Sequence, residues 1–161
     1  MSNVCEFNLK ATGRKENIER LYKMLNYDES EKYYFHRIFG CSYTFEEDLL
    51  NMKDNEEASV FMHGDCAWSL EASMLRDDGG DDGYLISIDR ASELLNLKIE
   101  VVSEKPACNF TEHYVVDNGE FLVDECYDLI TEEELEKYKD DEEGLSDLCY
   151  ARSEEIINKL Y

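Results

Sequence analysis

Apolar and polar residues alternate over residues 4–11, which predicts a β-strand with one buried face. A Thr-Gly pair follows, and over residues 14–26 the apolar positions recur every three or four residues, as they do on one face of a helix. The pattern therefore predicts that the chain opens with a β–α unit.

The middle third of the chain is less regular. Residues 33–39 are typical of a strand, residues 45–52 of a short helix, and residues 58–63 of a strand that ends at Gly64. We interpret the next few residues as a structural turn in which Trp68 anchors the core.

Turn residues organise the second half of the chain. A helix is predicted over residues 88–96 and a strand over residues 97–103. An Asn-Gly pair at 118–119 separates two strand patterns, over residues 110–116 and 120–126. Because Asn-Gly is the preferred centre of a two-residue hairpin turn, these two strands are predicted to pair as a hairpin.

The last part of the chain has a helical pattern. Thr131 is followed by three glutamates, a capping box that predicts a helix from residue 132. Gly144 is predicted to break this helix, and a final helix places apolar residues from Leu145 to Leu160 on one face.

Together these elements predict an α+β fold. We expect a ferredoxin-like sandwich over residues 1–126, with an antiparallel sheet and helices on one of its faces. Residues 127–161 would form an acidic helical appendage at the C-terminal end.

Charge narrows the range of functions. The 161 residues contain 39 Asp and Glu against 16 Lys and Arg, a formal net charge of −23. Such a deficit of basic residues argues against direct binding to a nucleic-acid backbone or to an anionic membrane. There is no secretory signal pattern and no apolar stretch of membrane-spanning length, so a cytoplasmic protein is expected.

The cysteines and histidines allow one enzymatic alternative. The six cysteines include no C-x-x-C pair, so we expect reduced thiols rather than a zinc or redox motif. A thiol hydrolase could combine Cys66 with His63 or His113, but the surrounding residues do not match the papain-type signature. Phosphate-binding loops, nucleophile elbows and zinc-protease helices are also missing from the sequence. We therefore predict a non-enzymatic protein without a cofactor.

A second alternative is a calcium- or small-ligand-binding module. Residues 77–83 read Asp-Asp-Gly-Gly-Asp-Asp-Gly, which places several carboxylates in a loop. In an EF-hand alignment from Asp78, however, Gly80 takes a ligand position and the bidentate Glu at the twelfth position is missing. We predict no metal here and interpret the segment as a solvated acidic loop.

The acidic residues are unevenly distributed. Residues 112–147 contain 15 acids and two bases, and residues 45–82 contain 12 acids and two bases, whereas the first 44 residues are nearly neutral. A compact chain of this length is about 40 Å across, and duplex DNA carries about 23 charges over that length. The charge of the protein is therefore comparable to that of a DNA segment of its own size.

This comparison suggests a nucleic-acid mimic that occupies the groove of a basic nucleic-acid-binding protein, such as a defence effector or a nuclease. The alternative, that the acidity serves only solubility, stays open. The candidate partner-binding residues are Asp77, Asp78, Asp81 and Asp82 in the loop, and Glu132, Glu133, Glu136, Asp140, Asp141, Glu142 and Glu143 in the C-terminal part.

Three local strings support a family resemblance. They are the opening residues 1–13, the element Gly64-Asp65-Cys66-Ala67-Trp68-Ser69, and Glu112-His113-Tyr114 with Asn118-Gly119-Glu120. Together they resemble YubB-type ferredoxin-like proteins of phages and conjugative plasmids. The resemblance implies a split β-α-β fold and a mobile-element origin, but no assigned chemistry. It favours an inhibitor of host defence, of the anti-CRISPR or anti-restriction kind.

Overall fold

The regular elements of the protein are known from a computed structural model, which describes residues 4–45, 51–75, 77, 83–104 and 109–161. Six strands and five helices lie within these residues. The strands are β1 (Val4–Arg14), β2 (Ile38–Tyr43), β3 (Glu57–Ala67), β4 (Lys98–Glu104), β5 (Phe110–Asp117) and β6 (Glu120–Asp128). The helices are α1 (Lys15–Leu25), α2 (Leu70–Met74), α3 (Ile88–Leu95), α4 (Glu132–Lys137) and α5 (Glu142–Asn158).

The strands form one antiparallel sheet in the order β2-β3-β1-β4-β5-β6. The central strand β1 pairs with β3 along its full length and with β4 on its other side. The α+β class predicted from the sequence is therefore confirmed.

One face of the sheet carries the main core. Alternate residues of β1, namely Cys5, Phe7, Leu9 and Ala11, are buried on this inner face, as the alternation predicted. They form one apolar cluster with the buried residues of α1, α2 and α3. The first three helices thus cover the inner face.

The opposite, outer face is covered in part by the C-terminal end of the chain. The ring of Tyr161 stacks on Phe61 of β3 with the ring centres 4.6 Å apart. Its hydroxyl donates to Oδ1 of Asn8 at 3.4 Å. Helix α5 contacts β4. Val102 of β4 is buried, although its side chain points to the outer face and that of its neighbour Val101 points into the main core. The C-terminal part therefore packs on the side of the sheet that α1–α3 leave open.

The prediction that the third strand ends at Gly64 is wrong, because β3 continues to Ala67. A Cβ added to Gly64 would lie 2.7 Å from Cζ of Phe7 and 3.1 Å from Cα of Cys41. Glycine is present here because a core ring and the backbone of β2 approach the strand closely. Trp68 does not anchor the core, since it is 51% exposed and has a left-handed backbone with φ of +69°.

Helix α2 was not predicted from the sequence. The hydroxyl of Ser69 caps it by accepting from the N–H of Ala72. The buried carboxylate of Glu112, on β5, accepts from the N–H groups of Leu70 at 2.7 Å and Glu71 at 2.9 Å, and from the hydroxyl of Tyr114 at 3.2 Å. A buried side chain of the sheet therefore fixes the start of this short helix.

Two turn signals are confirmed and one helix boundary is wrong. The hairpin at Asn118 and Gly119 joins β5 to β6, and both residues have positive φ. The capping box at Thr131 is present in full. Gly144, however, does not break a helix: it lies in the first turn of α5, where its N–H donates to Oδ1 of Asp141 at 2.9 Å. The preceding helix already ends at Lys137.

The helix predicted over residues 45–52 falls mostly on residues 46–50, outside the described part of the chain. Across the described residues, no helix has the length and apolar character that a membrane crossing requires.

Candidate functional site: the acidic C-terminal segment

The C-terminal segment, residues 129–161, has one small apolar core of its own, separate from the main core. A small apolar cluster joins Leu129 and Ile130, which follow β6, to Cys149 of α5. Helix α4 between them has no buried residue. Little apolar surface therefore holds this segment together, and polar contacts supply much of its geometry.

Arg152 is the main polar link of the segment. One guanidinium nitrogen, Nη1, donates to the carbonyl of Leu129 at 2.7 Å and to Oε2 of Glu134 at 2.6 Å, while Nη2 donates to Oε1 of Glu134. The guanidinium hydrogen bonds and the helix-cap bond from the N–H of Thr131 lower the pKa of Glu134 to about 2. Glu134 is thus engaged within the segment, whereas the adjacent Glu132 and Glu133 form no ion pair among the described residues.

Seven of the predicted partner-binding acids lie on this segment, and all seven are exposed. Glu132 and Glu133 are in the first turn of α4, and Glu142 and Glu143 in the first turn of α5. The other three are Glu136, which pairs with the exposed Lys139 at 2.9 Å, Asp140 in the turn, and Asp141, which caps α5. The structure therefore gathers these acids around two consecutive helix starts.

The adjacent strand β6 extends the acidic surface. Its nine residues have exposed or partly exposed side chains, and it forms an edge of the sheet in the described chain. Four of its residues are acidic and none is basic: Glu120, Asp124, Glu125 and Asp128. These four acids were not among the partner-binding residues predicted from the sequence. Acids at both even and odd positions of a strand nevertheless indicate that neither face of it is buried.

Asp77, the one candidate acid of the 77–83 loop within the described residues, is not part of this surface. Both carboxylate oxygens of Asp77 accept from Nη1 of Arg90 on α3, at 3.1 and 2.9 Å, which places Asp77 on the inner, helix-covered side of the sheet. The bond and the charge of Asp77 raise the pKa of Arg90. Asp78, Asp81 and Asp82 lie outside the described residues. The two acidic stretches therefore do not form one patch through Asp77.

The residues of the hydrolase alternative are separated by the sheet. Cys66 is fully buried on the inner face, where its thiol donates to the carbonyl of Ser69 at 3.6 Å. His63 is exposed and points to the outer face, with its ring 3.2 Å from the hydroxyl of Thr44. His113, also on the outer face, contacts Glu100 at 3.0 Å. Neither histidine shares a face with the thiol, so the arrangement lacks the Cys–His contact that this chemistry needs.

The described residues also contain no group of three or more His, Cys, Asp or Glu side chains arranged to hold a metal ion. Most of the loop considered for calcium lies outside those residues.

Comparisons with known proteins gave no relative. The chain matches no protein-family model, and neither the curated proteins nor the solved structures gave a significant match. The resemblance to YubB-type proteins therefore stays a prediction from three short strings. Arguments about function depend on the chemistry of the surface itself.

Proposed function

We propose that this protein is a non-enzymatic interaction protein whose acidic C-terminal surface imitates nucleic acid and occupies the groove of a basic nucleic-acid-binding protein. The surface consists of the exposed acids of β6 and of the starts of α4 and α5. In line with the resemblance, we propose that the partner is a defence effector of the CRISPR or restriction type, in the cytoplasm of the host of a mobile element.

The observation that carries this proposal is the contrast between Glu134 and its neighbours. Glu134 is neutralised by Arg152, whereas Glu132, Glu133, Glu142 and Glu143 have no ion pair within 4 Å among the described residues. Repulsion between these exposed carboxylates costs stability, and a basic partner would relieve it. The same charges would accelerate the encounter with such a partner.

We also infer that β1–β4 with α1 and α3 form a ferredoxin-like sandwich. The strand order β2-β3-β1-β4 and the helices that follow β1 and β3 support this inference. Strands β5 and β6 would then extend the sheet and position the acidic surface at its edge.

The direct test is competition with nucleic acid. Purified protein is added to a guide-loaded CRISPR nuclease and to a restriction endonuclease, and DNA binding is measured from 50 to 300 mM salt. We expect inhibition that weakens steeply with salt and that added DNA reverses. Changing Glu132, Glu133, Glu142 and Glu143 to Gln should weaken inhibition by about tenfold or more, because charge pairs across such interfaces have large coupling energies.

A matched variant separates recognition from bulk charge. It changes four other exposed glutamates to Gln, namely Glu16, Glu57, Glu71 and Glu93, and so alters the net charge by the same amount. Equal loss of inhibition in both variants would contradict a defined acidic surface. Unchanged DNA binding by every effector at low salt would contradict the proposed function.

A further inference from the structure

A cavity of about 410 Å³ lies beside the end of α1, and its lining residues all lie outside the acidic C-terminal segment. Three tyrosines line it: Tyr27 and Tyr34 belong to the segment that follows α1, and Tyr84 belongs to a second segment. Tyr27 and Tyr84 are 43% and 48% exposed, so their rings are accessible from solvent. Sequence analysis gave no signal for this cavity, because Tyr84 joins the other lining residues, which all lie within residues 27–34, only through the tertiary fold.

Contacts within the protein hold the aromatic walls in place. Tyr27 has a left-handed backbone with φ of +55°, and its hydroxyl accepts from the N–H of Ile38 at 2.9 Å. The centres of the Tyr27 and Tyr34 rings are 5.4 Å apart. The backbone of Tyr34 is fixed as well, since its N–H donates to Tyr84 at 3.0 Å and its carbonyl accepts from Ile86 at 3.2 Å. A bulky residue in the left-handed region of backbone conformation is unusual, and such residues are often found at functional sites.

The remaining lining residues make the cavity suitable for a cation. Asp28, Glu29 and Glu31 contribute carboxylates to the lining. The carboxylate of Glu31 is already paired with Arg20 at 3.0 and 3.2 Å, and Oδ1 of Asp28 accepts from the N–H and the hydroxyl of Ser30. Among the described residues, Glu29 and Oδ2 of Asp28 are therefore the acceptors that a cation would use. Lys32 is also part of the lining. Its ammonium lies 5.0 Å from the centre of the ring of Tyr33, which is not a lining residue. Aromatic faces next to carboxylates attract cations and disfavour anions.

We propose that this cavity binds the guanidinium group of an arginine side chain. A planar guanidinium stacks on aromatic rings and donates to carboxylates at the same time, whereas an ammonium is more strongly hydrated and does not stack. The identity of the arginine rests on the proposed function, because basic nucleic-acid-binding grooves present arginine to phosphates. The cavity would thus add a contact with arginine at the β2 side of the sheet to the electrostatic recognition at the β6 side.

The experiment compares two peptides of equal charge, tetra-arginine amide and tetra-lysine amide, by calorimetry or fluorescence anisotropy. The acidic surface attracts both peptides, so only a stacking site distinguishes them. We expect the wild-type protein to bind tetra-arginine about three- to tenfold more tightly, the size of a cation–π contribution. Tyr84→Leu should abolish this preference and leave tetra-lysine affinity unchanged.

The matched control is Tyr150→Leu, since Tyr150 is a tyrosine of α5 that is 56% exposed and lies outside the cavity. It should keep the preference. Tyr84→Phe retains an aromatic face and should keep it too, and circular dichroism verifies that each variant is folded. Equal affinity of wild-type protein for both peptides, or a preference that survives in Tyr84→Leu, would overturn the proposal.

Two further results are decisive. Displacement of tetra-arginine by tetramethylammonium at lower concentration than by free arginine would assign the cavity to quaternary ammonium groups and overturn the proposal. The test uses no effector protein, so a negative result leaves the nucleic-acid mimic intact. Conversely, an arginine preference in a protein that inhibits no effector would support the cavity and contradict only the proposed function.

Discussion

The sheet with α1–α3 and the C-terminal segment are stabilised in different ways. The first region buries residues of β1, β3, β4, β5 and three helices in one continuous apolar cluster. The second has four buried apolar residues, three of them in one small cluster, and depends on the contacts of Arg152. Screening by salt weakens exposed ion pairs but does not weaken apolar burial. The difference teaches that the acidic surface is carried by a part of the chain on which the main core does not depend.

The largest expected effect lies in the first region. Glu112→Ala would leave the N–H groups of Leu70 and Glu71 and the hydroxyl of Tyr114 without their acceptor in a buried site. We expect a loss of about 3 kcal/mol or more in the free energy of unfolding, measured by urea denaturation. Glu120→Ala, at an exposed position, is the control. A loss below about 1 kcal/mol for Glu112→Ala would mean that water replaces the carboxylate.

A smaller effect is expected from two neighbouring glycines of the sheet. In Gly64→Ala the new methyl group meets the ring of Phe7 and the backbone of β2, so we expect a loss of about 1–3 kcal/mol in stability. Gly40→Ala, on the adjacent strand, meets no atom within 4 Å and should change stability by less than about 0.5 kcal/mol. Thermal denaturation of both variants checks this, and equal losses would contradict the close approach at Gly64.

The smallest expected effect on global stability concerns the ion pair of the C-terminal segment. The pKa of Glu134 is about 2, below its usual 4.5, so the ionised carboxylate stabilises the segment. This contribution is complete above about pH 4.5 and is lost as the pH falls toward 2. Carboxyl ¹³C chemical shifts should show Glu134 titrating near pH 2, and faster amide exchange in α5 should accompany its protonation.

Arg152→Met sharpens this prediction, because it removes the guanidinium and should return the Glu134 pKa toward 4.5 while the main core stays folded. Lys139→Met is the control, since Lys139 pairs with Glu136 at an exposed position. A Glu134 pKa that is unchanged by Arg152→Met would contradict the role of the ion pair.

Local patterns predicted much of the fold. Alternation identified β1, helical spacing identified α1, and turn chemistry identified the Asn118-Gly119 hairpin and the Thr131 cap. These signals succeed because each depends on residues close together in sequence. The full extent of β3 was missed because Gly64 is determined by contacts with Phe7 and Cys41, which are distant along the chain.

The candidate site was predicted in part. The acids of the C-terminal segment are exposed as expected, but the sequence alone did not show that Glu134 pairs with Arg152, because Arg152 lies 18 positions later. It also did not show that Asp77 pairs with Arg90, or that β6 contributes acids next to the segment. The tyrosine cavity could not be predicted, because Tyr84 lies next to Tyr27 and Tyr34 only in the folded chain.

The exposed edge at β6 has a consequence for self-association. Edge strands are sites at which identical chains add to one another and begin to aggregate, and many proteins protect them with lysine or proline. In β6 four acids have this protective role. If a second copy of the strand paired with it, carboxylates would lie opposite carboxylates and repel one another. A basic extended peptide meets no such repulsion. The same charges therefore act as a filter at the edge of the sheet, closing it to the protein's own copies while leaving it open to cationic chains.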